Sequence, residues 1–197
     1  ASAAFLVVAW LLSPLCFWLA LPTLGWLLLY SHIKHVSAAC HLWLGIALGI
    51  SPVAAWLAAD GEFSLRILAP AVLGLGVALW VAGFDVLYAC QDEAFDRAHG
   101  LHSAPARLGR RAALRLSRIL HTAALLAFAG FGVLVPLGIA WQVGVLVSAA
   151  LMIWQHRLLR PDDLSRMQTA FFTANGTIAL GMLAAGCLDI YLLPVSR

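Results

Sequence analysis

The stretch RILAPAVLGLGVALWVAGFDVLYACQ, residues 66–91, decides the fold class of this protein. Between Arg66 and Asp92 its one charged residue is Asp85, and the other positions are mostly apolar or small. About 20 consecutive apolar residues in an α-helix suffice to cross the hydrocarbon core of a bilayer. The segment is therefore predicted to be a transmembrane helix that carries one acid inside its apolar boundary.

The rest of the chain has the same character. Of the 197 residues, 63% are hydrophobic and 11% are charged, and the mean hydropathy is +0.93. Soluble domains carry about 25% charged residues, so the composition excludes a soluble enzyme and a nucleic-acid-binding protein. Seven apolar segments lie at about 1–12, 14–31, 40–59, 66–91, 112–135, 138–156 and 167–193. We therefore predict an all-α fold, a polytopic transmembrane helical bundle that forms a single domain over residues 1–197.

The basic residues are distributed unevenly between the two ends of these predicted helices. Ten of the twelve fall on one side of an alternating topology: Lys34, Arg97, Arg107, Arg110, Arg111, Arg115, Arg118, Arg157, Arg160 and Arg166. Arginine and lysine are enriched in the cytoplasmic connections of membrane proteins. This side is therefore predicted to be cytoplasmic, which favours an integral protein of a bacterial inner membrane.

The first apolar segment is short for a membrane span. Its twelve residues reach about 18 Å as an α-helix, against a hydrocarbon core of about 30 Å. A start at Ala1 within an apolar run, with neither Met nor a basic flank, is unlike a signal peptide. We expect that the chain begins inside a helix and that earlier helices are missing. A re-entrant or interfacial first segment is the alternative.

The chemically distinctive residues lie at the cytoplasmic end of the fourth segment. On one helix with 100° per residue, Asp85, Tyr88, Asp92 and Asp96 lie within about 80° of one another. Carboxylates four residues apart repel each other, so Asp92 and Asp96 need a compensating cation. A basic side chain is one source of that charge. Mg²⁺ is another, because it binds one or two carboxylates together with substrate phosphate.

Two other interpretations of the acidic segment remain open. A solvated acidic turn accounts for Glu93, Asp162 and Asp163, each of which can face water. It does not account for Asp85, two helical turns inside Asp92, since an acid within the membrane is costly and usually functional. The other interpretation is a transporter or an assembly subunit that uses the acids as an ion site.

The acidic segment resembles the second aspartate-rich motif of the UbiA superfamily of intramembrane prenyltransferases. Six positions match in register over nineteen residues, with the spacing Asp85-x2-Tyr88-x3-Asp92-x3-Asp96-x3-Gly100-x2-Ser103. Residues 83–109 are most similar to the 4-hydroxybenzoate polyprenyltransferase-like branch. That branch includes the enzymes of the futalosine route to menaquinone.

Two further matches extend the resemblance along the chain. Tyr30-x3-Lys34 is similar to the family's YxxxK segment, and Asn175 falls where the family has an asparagine in its last helix. The resemblance thus covers about seven of an expected nine helices. The two preceding helices and the first motif, of the NDxxDxxxD type, are absent from the 197 residues. Because both motifs share the metal, this chain alone is expected to be inactive.

The resemblance implies transfer of a polyprenyl group from polyprenyl diphosphate to an aromatic acid of the hydroxybenzoate or dihydroxynaphthoate type, with Mg²⁺ assisting ionisation. It implies Asp92 and Asp96 as metal ligands, with Asp85 as a third ligand or a hydrogen-bond acceptor. Lys34 would contact the diphosphate, although it also suits a positive-inside anchor. Tyr88 would line the carbocation pocket or bind the diphosphate.

The remaining implied site residues have structural alternatives of their own. Tyr30, Arg97 and Ser103 are expected to contact the diphosphate, although topology alone explains Arg97. Asn175 belongs either to the substrate pocket or to an interhelical hydrogen bond. Most of the histidines are interpreted as residues near the cytoplasmic interface, and none has metal-site spacing: His32, His35, His41, His99, His102, His121 and His156.

Overall fold

A computed structural model describes residues 1–192, and over that range the chain is helical without strands. Ten α-helices follow in order: α1 (Ser2–Leu12), α2 (Pro14–Val36), α3 (Cys40–Gly49), α4 (Ser51–Asp60), α5 (Leu68–Ala89), α6 (Glu93–Ala98), α7 (Ala104–Leu108), α8 (Arg110–Leu134), α9 (Ile139–Leu158) and α10 (Ala174–Cys187). π-helical turns at Thr169–Thr173 and Leu188–Leu192 flank α10. Residues 193–197, the end of the predicted domain and of its last segment, lie outside the described residues.

The described helices confirm the prediction of an all-α membrane bundle. Five segments are long and apolar enough to cross a bilayer: Cys40–Asp60, Leu65–Ala89, Arg110–Leu134, Ile139–Leu158 and Thr169–Leu192. Two shorter apolar helices, Ser2–Leu12 and Pro14–Tyr30, precede them. The first of the five long segments divides into α3 and α4 at Ile50, where Pro52 occupies the first turn of α4. Proline suits that position because it has no amide hydrogen to donate.

Helices α3 and α5 approach each other closely because glycines face one another. A Cβ atom at Gly45 would run into the carbonyl oxygen of Ala78, and one at Gly74 would run into that of Gly49. Small residues of this kind let membrane helices bring their backbones into contact. The GxxxG pair Gly45 and Gly49 therefore sets the separation of α3 from α5.

A pair of tryptophans joins α2 to α3. The indole rings of Trp26 and Trp43 are stacked, with centroids 3.5 Å apart and planes 3° from parallel. Each Nε1–H donates to the backbone carbonyl oxygen of the other residue, at 3.1 and 2.9 Å. This reciprocal contact places the C-terminal half of α2 beside the first turn of α3.

The segments rich in basic residues meet at one end of the bundle, as their distribution in the sequence predicts. The backbone N–H of His102 donates to the carbonyl oxygen of Lys34 at 2.8 Å, which joins the end of α2 to the loop before α7. Arg110 donates to the carbonyl oxygen of Pro161 at 3.4 Å. At the opposite end, the buried Asp189 carboxylate accepts the first amide hydrogens of α9, from Ala140 and Trp141.

One expectation about the acidic segment is wrong. Asp85 and Tyr88 lie on α5, but that helix ends at Ala89, and a turn follows before α6 begins at Glu93. Asp92 is the residue immediately before α6, and Asp96 lies within α6. The four side chains therefore do not form one stripe on a continuous helix. The chain leaves the apolar region at Gln91. Beyond the hydrocarbon core, backbone groups can form hydrogen bonds with water, so the chain no longer has to continue as one helix and can turn.

Replacing Gly45 by alanine is expected to destabilise the bundle by about 1–3 kcal/mol, the usual cost of overpacking a close contact. The added methyl group meets the Ala78 carbonyl oxygen, which cannot move without shifting α5. Gly25→Ala is the matched control, because a Cβ there has no neighbour within 4 Å. Unfolding of the detergent-solubilised protein measures both changes, and equal stability of the two variants would contradict the close approach.

Candidate functional site

A polar cavity of about 300 Å³ lies between α2, α3 and α5, at the end of the bundle where the basic segments meet. Its lining includes Tyr30, Lys34, His41, Asp85, Tyr88 and Asp92. Five of these are site residues predicted from the sequence, and His41 is new. The structure thus gathers most of the predicted set around one opening, although the carboxylates come from two helical segments.

Asp85 is held by a histidine that the sequence analysis assigned to the membrane interface. His41, on the first turn of α3, places Nδ1 2.7 Å from Oδ2 of Asp85. Its other ring nitrogen, Nε2, accepts the backbone N–H of Ala104 at 3.1 Å. Its side chain is 6% exposed, so His41 is packed among the helices at this end of the bundle and does not face solvent or lipid. The sequence did indicate that Asp85 has a partner, because an acid within a membrane helix requires one.

Lys34 and Asp96 form an ion pair at the edge of the cavity. Lys34 Nζ lies 2.8 Å from Oδ1 of Asp96, whose side chain is fully buried, whereas the lysine side chain is 34% exposed. The angles between the Lys34 ammonium group and the Asp96 carboxylate are not those of a hydrogen bond. Neither Asp96 oxygen has a hydrogen-bond partner among the described residues. A buried carboxylate without such partners is costly, and this one depends on the lysine for its charge balance.

Asp92 lies at the open side of the cavity, and Tyr88 lies at its aromatic side. Asp92 is exposed, so its carboxylate is accessible from the end of the bundle where the basic segments meet. The Tyr88 ring packs against Phe171 with centroids 4.5 Å apart, and Phe171 in turn meets Phe84 edge-on at 5.4 Å. Aromatic rings therefore continue from the cavity along α5 towards the middle of the membrane.

Two predicted diphosphate residues have other partners in the structure. Arg97 forms an ion pair with Glu93 at 3.0 Å and donates to the carbonyl oxygen of Ala106, so it ties α6 to α7. Glu93 also contacts Arg110 at 2.8 Å with 16% of its side chain exposed, so it is not the simple water-facing acid that we expected. Ser103 is buried and its Oγ caps α7 by accepting the amide hydrogen of Ala106.

Asn175 lies apart from the cavity, among the long helices. Its Oδ1 accepts from Trp80 Nε1 at 3.2 Å and from Gln155 Nε2 at 3.4 Å. This arrangement is the interhelical hydrogen bond that the sequence offered as one of its two roles. Another side-chain contact between long helices joins two histidines: Nδ1 of the buried His121 lies 3.0 Å from Nε2 of the half-buried His156.

The three carboxylates predicted as metal ligands do not form a ready-made metal site. No group of three or more His, Cys, Asp or Glu side chains within residues 1–192 is arranged to hold a metal ion. Asp85 is engaged by His41, Asp96 is buried against Lys34, and Asp92 is open. Mg²⁺ needs only one or two protein carboxylates when substrate phosphates complete its coordination. The open Asp92 meets that requirement, whereas Asp96 is buried and paired with Lys34.

Comparison with known proteins supports the same interpretation of the motif. The model of the UbiA prenyltransferase family matches residues 1–176. This chain belongs to the UbiA prenyltransferase family. A solved structure, the apo form of a UbiA homolog from Aeropyrum pernix K1, superposes with a TM-score of 0.85 and 32% sequence identity, covering 96% of this chain and 69% of that one.

This UbiA family member covers only part of the length of its curated relatives. A 4-hydroxybenzoate octaprenyltransferase of Vibrio parahaemolyticus serotype O3:K6 is 29% identical over 188 residues, which is 94% of this chain and 64% of that protein. A 4-hydroxybenzoate solanesyltransferase of Synechocystis sp. is 32% identical over 103 residues, 52% of this chain and 34% of that protein. The chain thus spans less than two thirds of the length of these relatives.

Lys34→Met is expected to lower the unfolding free energy by about 3 kcal/mol, because it leaves the buried Asp96 carboxylate without its counter-ion. The partial exposure of Lys34 keeps the effect at the lower end of the range for buried pairs. Adding Asp96→Asn to Lys34→Met is expected to recover part of the loss, since no buried charge remains. Arg111→Met, at an exposed position on the same end, is the control. Additive losses in the double variant would disprove the ion pair.

Proposed function

We propose that the protein, in its full natural length, transfers a polyprenyl group from polyprenyl diphosphate to an aromatic acid in quinone biosynthesis. The observation that carries the proposal is the cavity that brings Lys34 and Asp92 together with Asp85 and Tyr88. Its polar end suits a diphosphate and its aromatic end suits an isoprenoid. Membership of a prenyltransferase family and relatives named 4-hydroxybenzoate polyprenyltransferases support it.

The charges of the site suit the departure of a diphosphate. Breaking the allylic carbon–oxygen bond leaves negative charge on the phosphate oxygens, and positive groups near those oxygens lower the barrier. Lys34 supplies such a charge on a flexible stem, one third of which is exposed. We assign Asp92 and Asp96 as the carboxylates that would hold Mg²⁺. When bound, Mg²⁺ supplies further positive charge against the leaving group.

Pairing with Asp96 gives Lys34 a defined position before the substrate arrives. A diphosphate entering beside Lys34 offers the ammonium group a second anion, and Asp96 would then keep its charge balance through the cation that accompanies the diphosphate. Tyr30, which also lines the cavity, is assigned to the diphosphate end. Arg97 and Ser103 are left as structural residues of α6 and α7 in this proposal, because both are engaged within those helices.

The aromatic rings are assigned to the hydrocarbon part of the substrate. The face of an aromatic ring attracts a cation, so Tyr88 suits the allylic carbocation that forms when the diphosphate leaves. Phe171 and Phe84 extend this surface beyond Tyr88. A lipid substrate already dissolved in the bilayer reaches such a surface from the side. We place the polar end on the cytoplasmic face of a bacterial inner membrane, because the basic segments gather there.

Asp92→Asn is expected to reduce polyprenyl transfer by on the order of 10²–10³-fold, the size of losing one electrostatic stabiliser of the transition state. Asp96→Asn is expected to have a similar effect, measured after its stability has been checked. The assay follows radiolabelled polyprenyl diphosphate in membranes of the full-length protein, with hydroxybenzoate and dihydroxynaphthoate acids as competing acceptors. Product analysis then identifies the acceptor.

Asp162→Asn is the matched control, because Asp162 is an exposed carboxylate on the same end of the bundle. Its turnover is expected to equal that of the natural protein. Removing divalent cations with a chelator is expected to abolish transfer, and added Mg²⁺ to restore it. Full activity in Asp92→Asn, or full activity in the chelator, would show that the assignment of the carboxylates is wrong.

A further inference from the structure

We propose that His41 is a positioning residue for Asp85, and that it prepares this carboxylate to accept a hydrogen bond from a hydroxyl group on the aromatic acceptor. The inference rests on the proposed function for the identity of the substrate. The contact that carries it joins residues 44 positions apart in the sequence, between the first turn of α3 and the last two turns of α5.

The protonation of His41 follows from its two neighbours. Its Nε2 lies 3.1 Å from the backbone nitrogen of Ala104, which can only donate, so Nε2 must be the unprotonated acceptor. A neutral imidazole then carries its hydrogen on Nδ1. Nδ1 lies 2.7 Å from Oδ2 of Asp85 and therefore donates to it. A protonated imidazolium would place two donors face to face at the Ala104 contact.

This arrangement leaves Asp85 with one occupied oxygen and one available oxygen. Oδ2 accepts from His41, whereas Oδ1 has no hydrogen-bond partner among the described residues. The Asp85 side chain is 22% exposed and lines the cavity. An ionised carboxylate accepts hydrogen bonds and donates none, so the site favours an acceptor substrate that carries a hydroxyl group.

One short loop coordinates the two ends of the cavity. The backbone of His102 donates to the carbonyl oxygen of Lys34, and the backbone of Ala104, two residues later, donates to His41. The loop therefore holds the main chain of the lysine at the diphosphate end and, through His41, the acid at the membrane end. His41 thus relates the position of Asp85 to that of Lys34.

Two conservative variants separate the bond to Asp85 from the bond to Ala104. In His41→Asn the side-chain amide occupies the region of Nδ1 and can still donate to Asp85. In His41→Gln the amide reaches the region of Nε2 and can still accept from Ala104. Each variant loses one hydrogen bond, so their stabilities should be similar, which makes them controls for each other.

Steady-state kinetics of the full-length protein are expected to distinguish the variants. In His41→Gln, kcat/KM for the aromatic acceptor should fall about 10- to 100-fold, the usual effect of removing a group that orients a functional side chain. KM for polyprenyl diphosphate should stay unchanged. His41→Asn should keep most of the activity, and so should His99→Ala, at an exposed position on α6's C-terminal side. Activity retained in His41→Gln and lost in His41→Asn would overturn the proposal, because His41 would then act only on α7.

The tautomer can be measured without any turnover. In protein labelled with ¹⁵N-histidine, the His41 signals, assigned by their loss in His41→Asn, are expected to show a protonated Nδ1 and an unprotonated Nε2. A hydrogen on Nε2 would overturn the proposal, whatever the kinetics of the variants show. Failure of the natural protein to transfer any prenyl group would instead count against the proposed function, and the tautomer would still report whether His41 holds Asp85.

Discussion

The structure depends on how negative charge is compensated at the edge of the membrane. Asp96 is buried and Asp85 is partly buried, and each has one partner from a distant part of the chain: Lys34 supplies positive charge to Asp96, and His41 makes a hydrogen bond to Asp85. These contacts join α2 to α6 and α3 to α5 at the end of the bundle where the cavity lies. The cavity lies between them because carboxylates that are only partly neutralised keep the helices from packing there with apolar side chains. The folded protein therefore loses some stability at this position, and a charged group that entered the cavity would restore it.

The sequence predicts the helical class and the segments well, because apolar runs of membrane length have few alternative structures. It also predicts five of the residues that line the cavity, since the spacing from Asp85 to Asp92 and that from Tyr30 to Lys34 are local. Four other predicted site residues do not line it: Asp96, Arg97, Ser103 and Asn175. It does not predict His41 as the partner of Asp85. That contact depends on the close approach of α3 to α5 at Gly45, a tertiary distance that no local pattern encodes.

The prediction of one acidic stripe failed for a physical reason. A periodicity of 100° per residue holds only while the helix continues, and α5 ends at Ala89. Beyond that point, the exposed Asp92 immediately precedes α6, and the buried Asp96, within α6, contacts Lys34. Asp92 and Asp96 are still four residues apart, but Asp92 is exposed whereas Asp96 is buried. The predicted roles of Arg97 and Ser103 were likewise made without knowledge of the short helices α6 and α7, whose ends occupy both side chains.

The stacked tryptophans have a consequence for observing the protein at work. Indole rings with centroids 3.5 Å apart and nearly parallel planes are close enough for their strong electronic transitions to couple, and such coupling is observed in far-ultraviolet circular dichroism. Trp26 lies two turns before Lys34 on α2, and Trp43 lies two residues after His41 on α3. Any hinge motion of α2 against α3 alters the overlap of the rings. The Trp26–Trp43 signal therefore reports the position of α2 relative to α3, the two helices that carry Lys34 and His41 on either side of the cavity.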